Sequence, residues 1–337
     1  MTKIAILGGG SWGTALSMVL SRSHKTHEIS LWMRDAALAA SVQQSRHNDI
    51  YLPGCRVPAS VMITGDLATA LRQAHIVVGA MPAAHAREIY SRVLSFDPAA
   101  SFIFVSATKG LEPSTHLRMS EVLARLFAGK SSPPPQIAVL SGPSFALEAA
   151  SGDPTAVVIA SSQETCATGI QQEFVGPTFR VYTNDDVVGV ELAGATKNVI
   201  AIAAGACQGL GLGANAMAAL ITRGLAEMSR LAFALQARPE TLSGLAGLGD
   251  LVLTCTGALS RNRQLGIELG KGRALLEILA GTRTVAEGVG TAPALLALAA
   301  EHHIELPITA QVDAILHHGK SPRDAISAIM ERPQRRE

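Results

Sequence analysis

The stretch Lys3-Ile4-Ala5-Ile6-Leu7-Gly8-Gly9-Gly10-Ser11-Trp12-Gly13-Thr14-Ala15 decides the fold. Ile4 to Leu7 is a short apolar run of the kind that forms a buried strand. It ends in Gly8, Gly10 and Gly13, spaced G-x-G-x-x-G, and an apolar helical stretch follows. Glycines at those places allow a tight bend, let the backbone approach a pyrophosphate, and let helix and strand pack closely. A helix that starts there directs unpaired N–H groups and a partial positive charge at a phosphate. Strand, turn and helix in that order predict a dinucleotide-binding unit. Ser11 and Trp12 lie inside the turn, where their backbone N–H groups and the Ser11 hydroxyl can meet the pyrophosphate. The ordinary reading of Trp12 is a core aromatic.

Bulk properties narrow the function. The 337 residues suggest two domains, and 48% hydrophobic against 16% charged residues allows large cores. A net charge of +1 gives no general attraction to nucleic acid or to an anionic membrane, so phosphate recognition must be local. Cys55, Cys166, Cys207 and Cys255 form no C-x-x-C pair, which points to a reducing, cytoplasmic setting rather than disulfides or zinc. The ten histidines show no metal-ligand spacing, and His302-His303 and His317-His318 read as exposed helix ends, so no metal is expected. The N-terminal apolar run is too short for a signal peptide. Lys197 to Arg223 encloses no charge, but Gly205, Gly209, Gly211 and Gly213 would break a spanning helix. That segment reads as a buried helix bending at its glycines, not a membrane span.

Alternation of short strands with helices predicts an α/β fold: a Rossmann-like, doubly wound sheet over residues 1–184. Strands are expected at Lys3–Leu7, Glu28–Trp32, Val61–Thr64, Ile76–Ala80, Phe102–Ser106, Ile137–Leu140, Ala156–Ala160 and Arg180–Thr183. Helical stretches include Trp12–Ser23, Leu67–Gln73, Ala84–Leu94 and Ser114–Phe127, and Ser131–Pro135 reads as a loop. From 185 to 331 the pattern is all-helical, with Asp185 as the expected first N-cap, and 332–337 reads as a frayed tail.

The residues able to carry chemistry fall at loop positions. Arg34, after the second strand, suits the 2′-phosphate of NADP, while the adjacent Asp35 leaves NAD open. Lys109, after the fifth strand, is a candidate for a substrate anion, and Ser144, in Gly142-Pro143-Ser144, offers a hydroxyl at the same sheet edge. Lys197 stands with Asn198 in an uncharged stretch; burial drives a lysine toward neutrality, which suits a proton donor and acceptor at a carbonyl or alcohol oxygen. Asp250 can position Lys197 or bind a hydroxyl, and Arg261 with Asn262 can hold a phosphate. Each has an ordinary alternative: surface lysine, helix cap, solvated arginine.

Taken together, these motifs resemble the bacterial NAD(P)-dependent glycerol-3-phosphate dehydrogenases over nearly the whole chain. The resemblance rests on Gly8–Ala15, Asn48 with Tyr51-Leu52-Pro53-Gly54, Thr108–Glu112, Gly142–Ala146, Lys197-Asn198-Val199, Gly247–Asp250, Thr254–Gly257, Ser260–Arg263, Ala286-Glu287-Gly288 and Glu305–Thr309. It implies NAD(P)H-dependent reduction of dihydroxyacetone phosphate to sn-glycerol 3-phosphate, a phospholipid precursor. It implies Lys197 as proton carrier, with Lys109, Gly142, Ser144, Asp250, Ser260, Arg261 and Asn262 on the substrate. On the cofactor, NADP or NAD, it implies Ser11, Trp12, Arg34, Lys109, Ala146, Arg261, Val285 and Glu287, besides the glycines. Met33, between Trp32 and Arg34, falls where the family varies.

Read without the resemblance, the residues discriminate poorly against another two-domain dehydrogenase with a helical second half, acting on a 3-hydroxy acid or a sugar-acid phosphate, because a carboxylate also takes a lysine or arginine clamp. A non-enzymatic dinucleotide sensor would keep the glycine turn without needing Lys197. The expected partner is a small molecule, with no nucleic acid. The glycine- and alanine-rich helices suit either a homodimer contact or packing within one chain.

Overall fold

The computed structural model describes residues 1–96, 102–130, 135–281 and 286–333. Residues 131–134 of the expected loop and 334–337 of the expected tail lie outside these. The chain divides into two compact units: residues 1–112 with 117–191, and residues 113–116 with those from 192 onward.

The first unit is built on one eight-stranded sheet. Its strands are β1 (Thr2–Leu7), β2 (His27–Trp32), β3 (Val61–Thr64), β4 (Ile76–Gly79), β5 (Ile103–Ser106), β6 (Gln136–Ser141), β7 (Thr155–Ala160) and β8 (Phe179–Asn184). Their order is β3-β2-β1-β4-β5-β6-β7-β8, parallel throughout except between β6 and β7. Side chains alternate across β1: Ile4 and Ile6 enter one core, Ala5 and Leu7 the other. Both faces are therefore covered, as a mainly parallel sheet requires. The covering helices are α1 (Ser11–Leu20), α2 (Ala36–Ser45), α3 (Leu67–Leu71), α4 (Ala83–Phe96), α5 (Met119–Phe127), α6 (Ala146–Ser151) and α7 (Glu164–Phe174). The strand order reverses between β1 and β4, and Leu7 stands opposite both Trp32 and Gly79 at that switch point. Open α/β sheets bind ligands beyond the strand ends at such a point.

Every expected strand is present, with ends within about two residues. One helical expectation fails. Residues 114–118 are not helical: His116 has φ +58°, and Leu111 bridges to Arg118. The carboxylate of Glu121 accepts from the Arg118 N–H and starts α5 only at Met119.

Among its described residues the second unit is helical: α8 (Val187–Gly209), α9 (Ala214–Ala234), α10 (Pro239–Ser243), α11 (Asp250–Thr256), α12 (Arg261–Gly270), α13 (Leu275–Ala280), α14 (Gly288–Glu301), α15 (Pro307–His317) and α16 (Pro322–Met330). The cap of α8 is Asp186, not Asp185: its carboxylate accepts from the Gly189 N–H at 2.8 Å. The first turn of α8 belongs to the first unit. There Glu191 is buried and accepts from the Ser120 N–H (2.8 Å) and from Arg118 Nη1 (2.9 Å). The division consequently falls at Glu191 rather than at residue 184.

Gly205 does not bend α8. A Cβ there would strike the Arg263 carbonyl, and one on Gly266 the Ile202 carbonyl. With Gly209 and Gly270, these glycines let α8 and α12 touch backbone to backbone. The chain turns instead at Gly211, with φ +77°. By length and composition α8 could cross a membrane, but 83% of its apolar window is buried in the fold.

Candidate active site

The first unit carries a surface made mostly of backbone. Gly8 takes φ +121°, and a Cβ there would lie 2.6 Å from the Ala80 carbonyl oxygen. At Gly13 a Cβ would collide with the Gly8 carbonyl, so α1 can approach β1 only as glycine. Gly10 differs: a Cβ there meets nothing within 4 Å. The three glycines thus divide into two that fit protein and one that leaves room. No side chain caps α1, whose first turn begins at Ser11. Open space before an uncapped helix start fits a pyrophosphate, whose oxygens take the donors that a cap would otherwise satisfy.

Neighbouring strand ends supply the polar groups. Lys109 Nζ and Ser144 Oγ both donate to the Gly142 carbonyl, each at 2.9 Å. Gly142 has φ +128°, and a Cβ would stand 3.0 Å from Val157 Cα. Thr108 Oγ1 donates to the Met81 carbonyl at 2.7 Å, tying the loop after β5 to that after β4. Glu112 accepts a two-pronged ion pair from Arg87, 2.7 Å on each prong, which anchors the far end of the same loop and raises the Arg87 pKa. Ala146 opens α6 beside this group.

Arg34 and Asp35 separate in role. Arg34 is exposed. Asp35 caps α2, its Oδ1 accepting from the Ala37 and Leu38 N–H groups at 3.0 Å each. The Trp12 ring packs on the core, and its Nε1 is buried without a partner among the described residues.

Within the second unit, side chains from distant sequence come together. Lys197 Nζ on α8 donates to Asp250 Oδ1 on α11 at 2.6 Å and to Thr254 Oγ1 at 2.9 Å. The Thr254 hydroxyl in turn donates to the Asp250 carbonyl at 2.6 Å. Only 7% of the Lys197 side chain and 1% of Asp250 reach solvent. A π-helical turn, Leu245–Gly249, sets Asp250 at the head of α11, and such turns recur at functional sites. Cys255 lies next to this pair, and burial pushes its thiol up to about 12, which keeps it protonated and unreactive.

A second cluster links α8, α12 and α14. Asn262 Nδ2 donates to Asn198 Oδ1 at 3.0 Å, and Asn262 Oδ1 accepts from the Gly288 N–H at 2.9 Å. Ser260 caps α12, its Oγ accepting from the Arg263 N–H at 3.2 Å. Arg261 keeps an exposed surface, yet desolvation lowers its pKa while the Glu287 carboxylate raises it. Val285 lies outside the described residues.

Residue-by-residue reading overlooked Thr254 and Asn48, which stood only inside longer motifs. Thr254 carried a local signal: it follows Asp250 by one helical turn, so both lie on one face. Asn48 carried none; it reaches the Gly9 carbonyl across 39 residues.

Among the described residues no group of three or more His, Cys, Asp or Glu side chains is arranged to hold a metal ion.

Comparison with known proteins gives one family for both units. Residues 3–167 match the profile described as NAD-dependent glycerol-3-phosphate dehydrogenase N-terminus, and 186–327 match its C-terminus counterpart. A glycerol-3-phosphate dehydrogenase, NAD(P)+-dependent by name, from Koribacter versatilis is 54% identical over 334 residues, covering 99% of this chain and 98% of that one. The crystal structure of glycerol-3-phosphate dehydrogenase from Coxiella burnetii superposes with a TM-score of 0.92 at 40% identity, covering 98% of this chain and 99% of that one. D-mandelate dehydrogenase, solved with NADH, shares only the fold, at 11% identity and a TM-score of 0.60 over 94% of this chain and 98% of that one. This chain belongs to the NAD-dependent glycerol-3-phosphate dehydrogenase family.

Proposed function

We propose that this chain catalyses reversible hydride transfer between a nicotinamide dinucleotide and a three-carbon phosphate, reducing dihydroxyacetone phosphate to sn-glycerol 3-phosphate. The observation that carries the reading is the buried Lys197–Asp250 pair, 2.6 Å between Nζ and Oδ1. When bound, the nicotinamide supplies the hydride. Lys197 handles the accompanying proton: its Nζ gives it to the C2 oxygen during reduction and takes it back during oxidation. Asp250 and Thr254 fix the direction of that Nζ, so that little motion is needed when charge develops on oxygen.

The substrate phosphate falls to Arg261, whose guanidinium fork matches its geometry, with Asn262 beside it on α12 and Ser260 at the helix cap. Lys109, Gly142 and Ser144 complete the substrate set. The open Gly10 position, Ser11, Trp12, Ala146 and Glu287 belong to the cofactor, along with Val285, while Gly8 and Gly13 shape the turn that presents them. Arg34 takes the 2′-phosphate of NADPH. The commitment of Asp35 to two helix N–H groups leaves it a poorer ligand for the ribose 2′-hydroxyl of NADH, which supports NADPH as the favoured coenzyme.

The four cysteines are free and buried, in keeping with a reducing cytoplasm. The product is the backbone of glycerophospholipids, which gives the reaction its place in their synthesis. A homodimer is the assembly we favour, with the exposed Leu248, Val252 and Leu259 around α11 as the candidate contact; light scattering on the purified chain tests it.

The direct test is spectrophotometric. NADPH absorbance should fall on addition of dihydroxyacetone phosphate. No change with that substrate, but decay with the keto form of a hydroxy acid, would overturn the assignment.

A further inference from the structure

Asn48 is fully buried at the start of the loop after α2. Its Nδ2 donates to the Gly9 carbonyl at 2.9 Å and to Thr14 Oγ1 at 2.8 Å. Thr14 Oγ1 makes a longer contact, 3.4 Å, to the same Gly9 carbonyl. The Asn48 carbonyl accepts from the Leu52 N–H at 2.7 Å, and His47 bridges to Arg56, so the loop that carries the asparagine is itself closed. The Gly9 carbonyl also fixes how the amide is oriented, because only nitrogen can face an acceptor.

This arrangement has a consequence one bond further on. In a trans peptide the C=O of Gly9 and the N–H of Gly10 point in opposite directions. With the Gly9 oxygen turned toward Asn48, the Gly10 N–H is turned away from it, at the residue where the turn leaves open space. A peptide between two glycines meets little steric resistance to flipping over. Flipped, it would present a carbonyl oxygen to a phosphate in place of a donor. Asn48 Oδ1 is buried with no hydrogen-bond partner among the described residues. An unpaired acceptor is unfavourable, and packing alone would be served as well by an apolar side chain. The amide's contribution here is its two N–H donors.

We propose that Asn48 is a positioning residue for the dinucleotide: by holding the Gly9 carbonyl inward, it keeps the Gly10 N–H set as a pyrophosphate donor. The proposal rests on the nucleotide-binding reading above. Asn48→Asp, nearly the same size, puts a carboxylate oxygen against the Gly9 carbonyl and favours the flipped peptide. Asn48→Ala removes the donors without adding repulsion.

The test is the Kd of NADPH for the whole chain, measured by fluorescence without substrate, together with steady-state kinetics. Asn48→Asp should raise Kd and the KM for NADPH by about tenfold or more, and Asn48→Ala by about threefold to tenfold. At saturating NADPH, kcat and the KM for dihydroxyacetone phosphate should stay within about threefold. A residue serving stability alone would instead lower the fraction of active protein and leave Kd unchanged in what remains folded. A Kd within about twofold of the parent in both variants would overturn the proposal; if Asn48→Asp does not fold, Asn48→Ala decides alone. A parent chain that binds no NADPH would bring down the nucleotide-binding reading and this proposal with it.

Discussion

The two units build their functional surfaces from different material. In the first, the turn after β1 uses backbone: Gly8, Gly10 and Gly13 shape a donor surface whose chemistry lies in N–H groups. In the second, the Lys197 cluster uses side chains of α8 and α11, and the backbone only carries them. A backbone site is local, complete within one turn and the helix it starts. A side-chain site is not: Lys197 and Asp250 are 53 residues apart, and Asn198 and Asn262 are 64 apart. The first therefore responds to changes in the backbone path or in the open space beside it, while the second is sensitive to any loss of charge balance.

The largest effect should come from unbalancing the second site. Asp250→Ala removes the carboxylate that the buried Lys197 Nζ meets at 2.6 Å. Removing one partner of a buried pair typically costs about 3–5 kcal/mol. The melting temperature should drop by several degrees, and turnover by about a hundredfold or more. Asp250→Asn, which keeps an acceptor for Nζ, should recover part of the stability. Equal losses in both variants would mean that the retained acceptor contributes nothing and that the lost charge accounts for the whole effect.

Next comes a contrast within the glycine turn. Gly13→Ala drives a methyl group into the Gly8 carbonyl and should cost about 1–3 kcal/mol of stability, taking NADPH binding with it. Gly10→Ala meets no protein atom, and φ −72° suits alanine. Its melting temperature should stay within about 2 °C of the parent while NADPH binds about tenfold more weakly. Melting curves and binding isotherms of the two variants check this; identical behaviour would erase the distinction between a packing glycine and a ligand-facing one.

The smallest effect is expected at the rim. Arg34 is exposed, so solvent screens it. Arg34→Ala should raise the KM for NADPH about threefold to tenfold and leave that for NADH within about twofold. Equal weakening of both coenzymes would show that Arg34 does not read the 2′-phosphate.

The same contrast governs what the sequence revealed. All eight strands are legible: most are short apolar runs bounded by polar or glycine residues, and β8 shows alternation instead, with Val181 buried between the exposed Arg180 and Tyr182. The glycine turn was legible for the same local reason. Asp185 was misread because Asn184, Asp185 and Asp186 are all good caps; which one serves is decided by where α8 starts, and the structure chooses Asp186. A glycine inside a helix weakens it, so the sequence points to bends at Gly205, Gly209, Gly211 and Gly213 alike; the turn comes at Gly211, and Gly205 serves packing. Its partner, the Arg263 carbonyl, lies 58 positions further along and leaves no local trace. The unit boundary was displaced because Glu191, though part of a helix that continues into the second unit, is pinned by Arg118 and Ser120 in the first. Lys197 was legible as an isolated charge in an uncharged stretch. Its partnership with Thr254 is legible only in part: the one-turn spacing of Thr254 from Asp250 is local, but Lys197 lies 57 positions away.

Lys197→Ala, measured by NADPH affinity and turnover in the same preparation, tests the central claim most directly. The account predicts NADPH binding within about twofold of the parent and dihydroxyacetone phosphate turnover reduced by about a hundredfold or more. Turnover within about tenfold of the parent, in protein that is folded and binds NADPH normally, would contradict it.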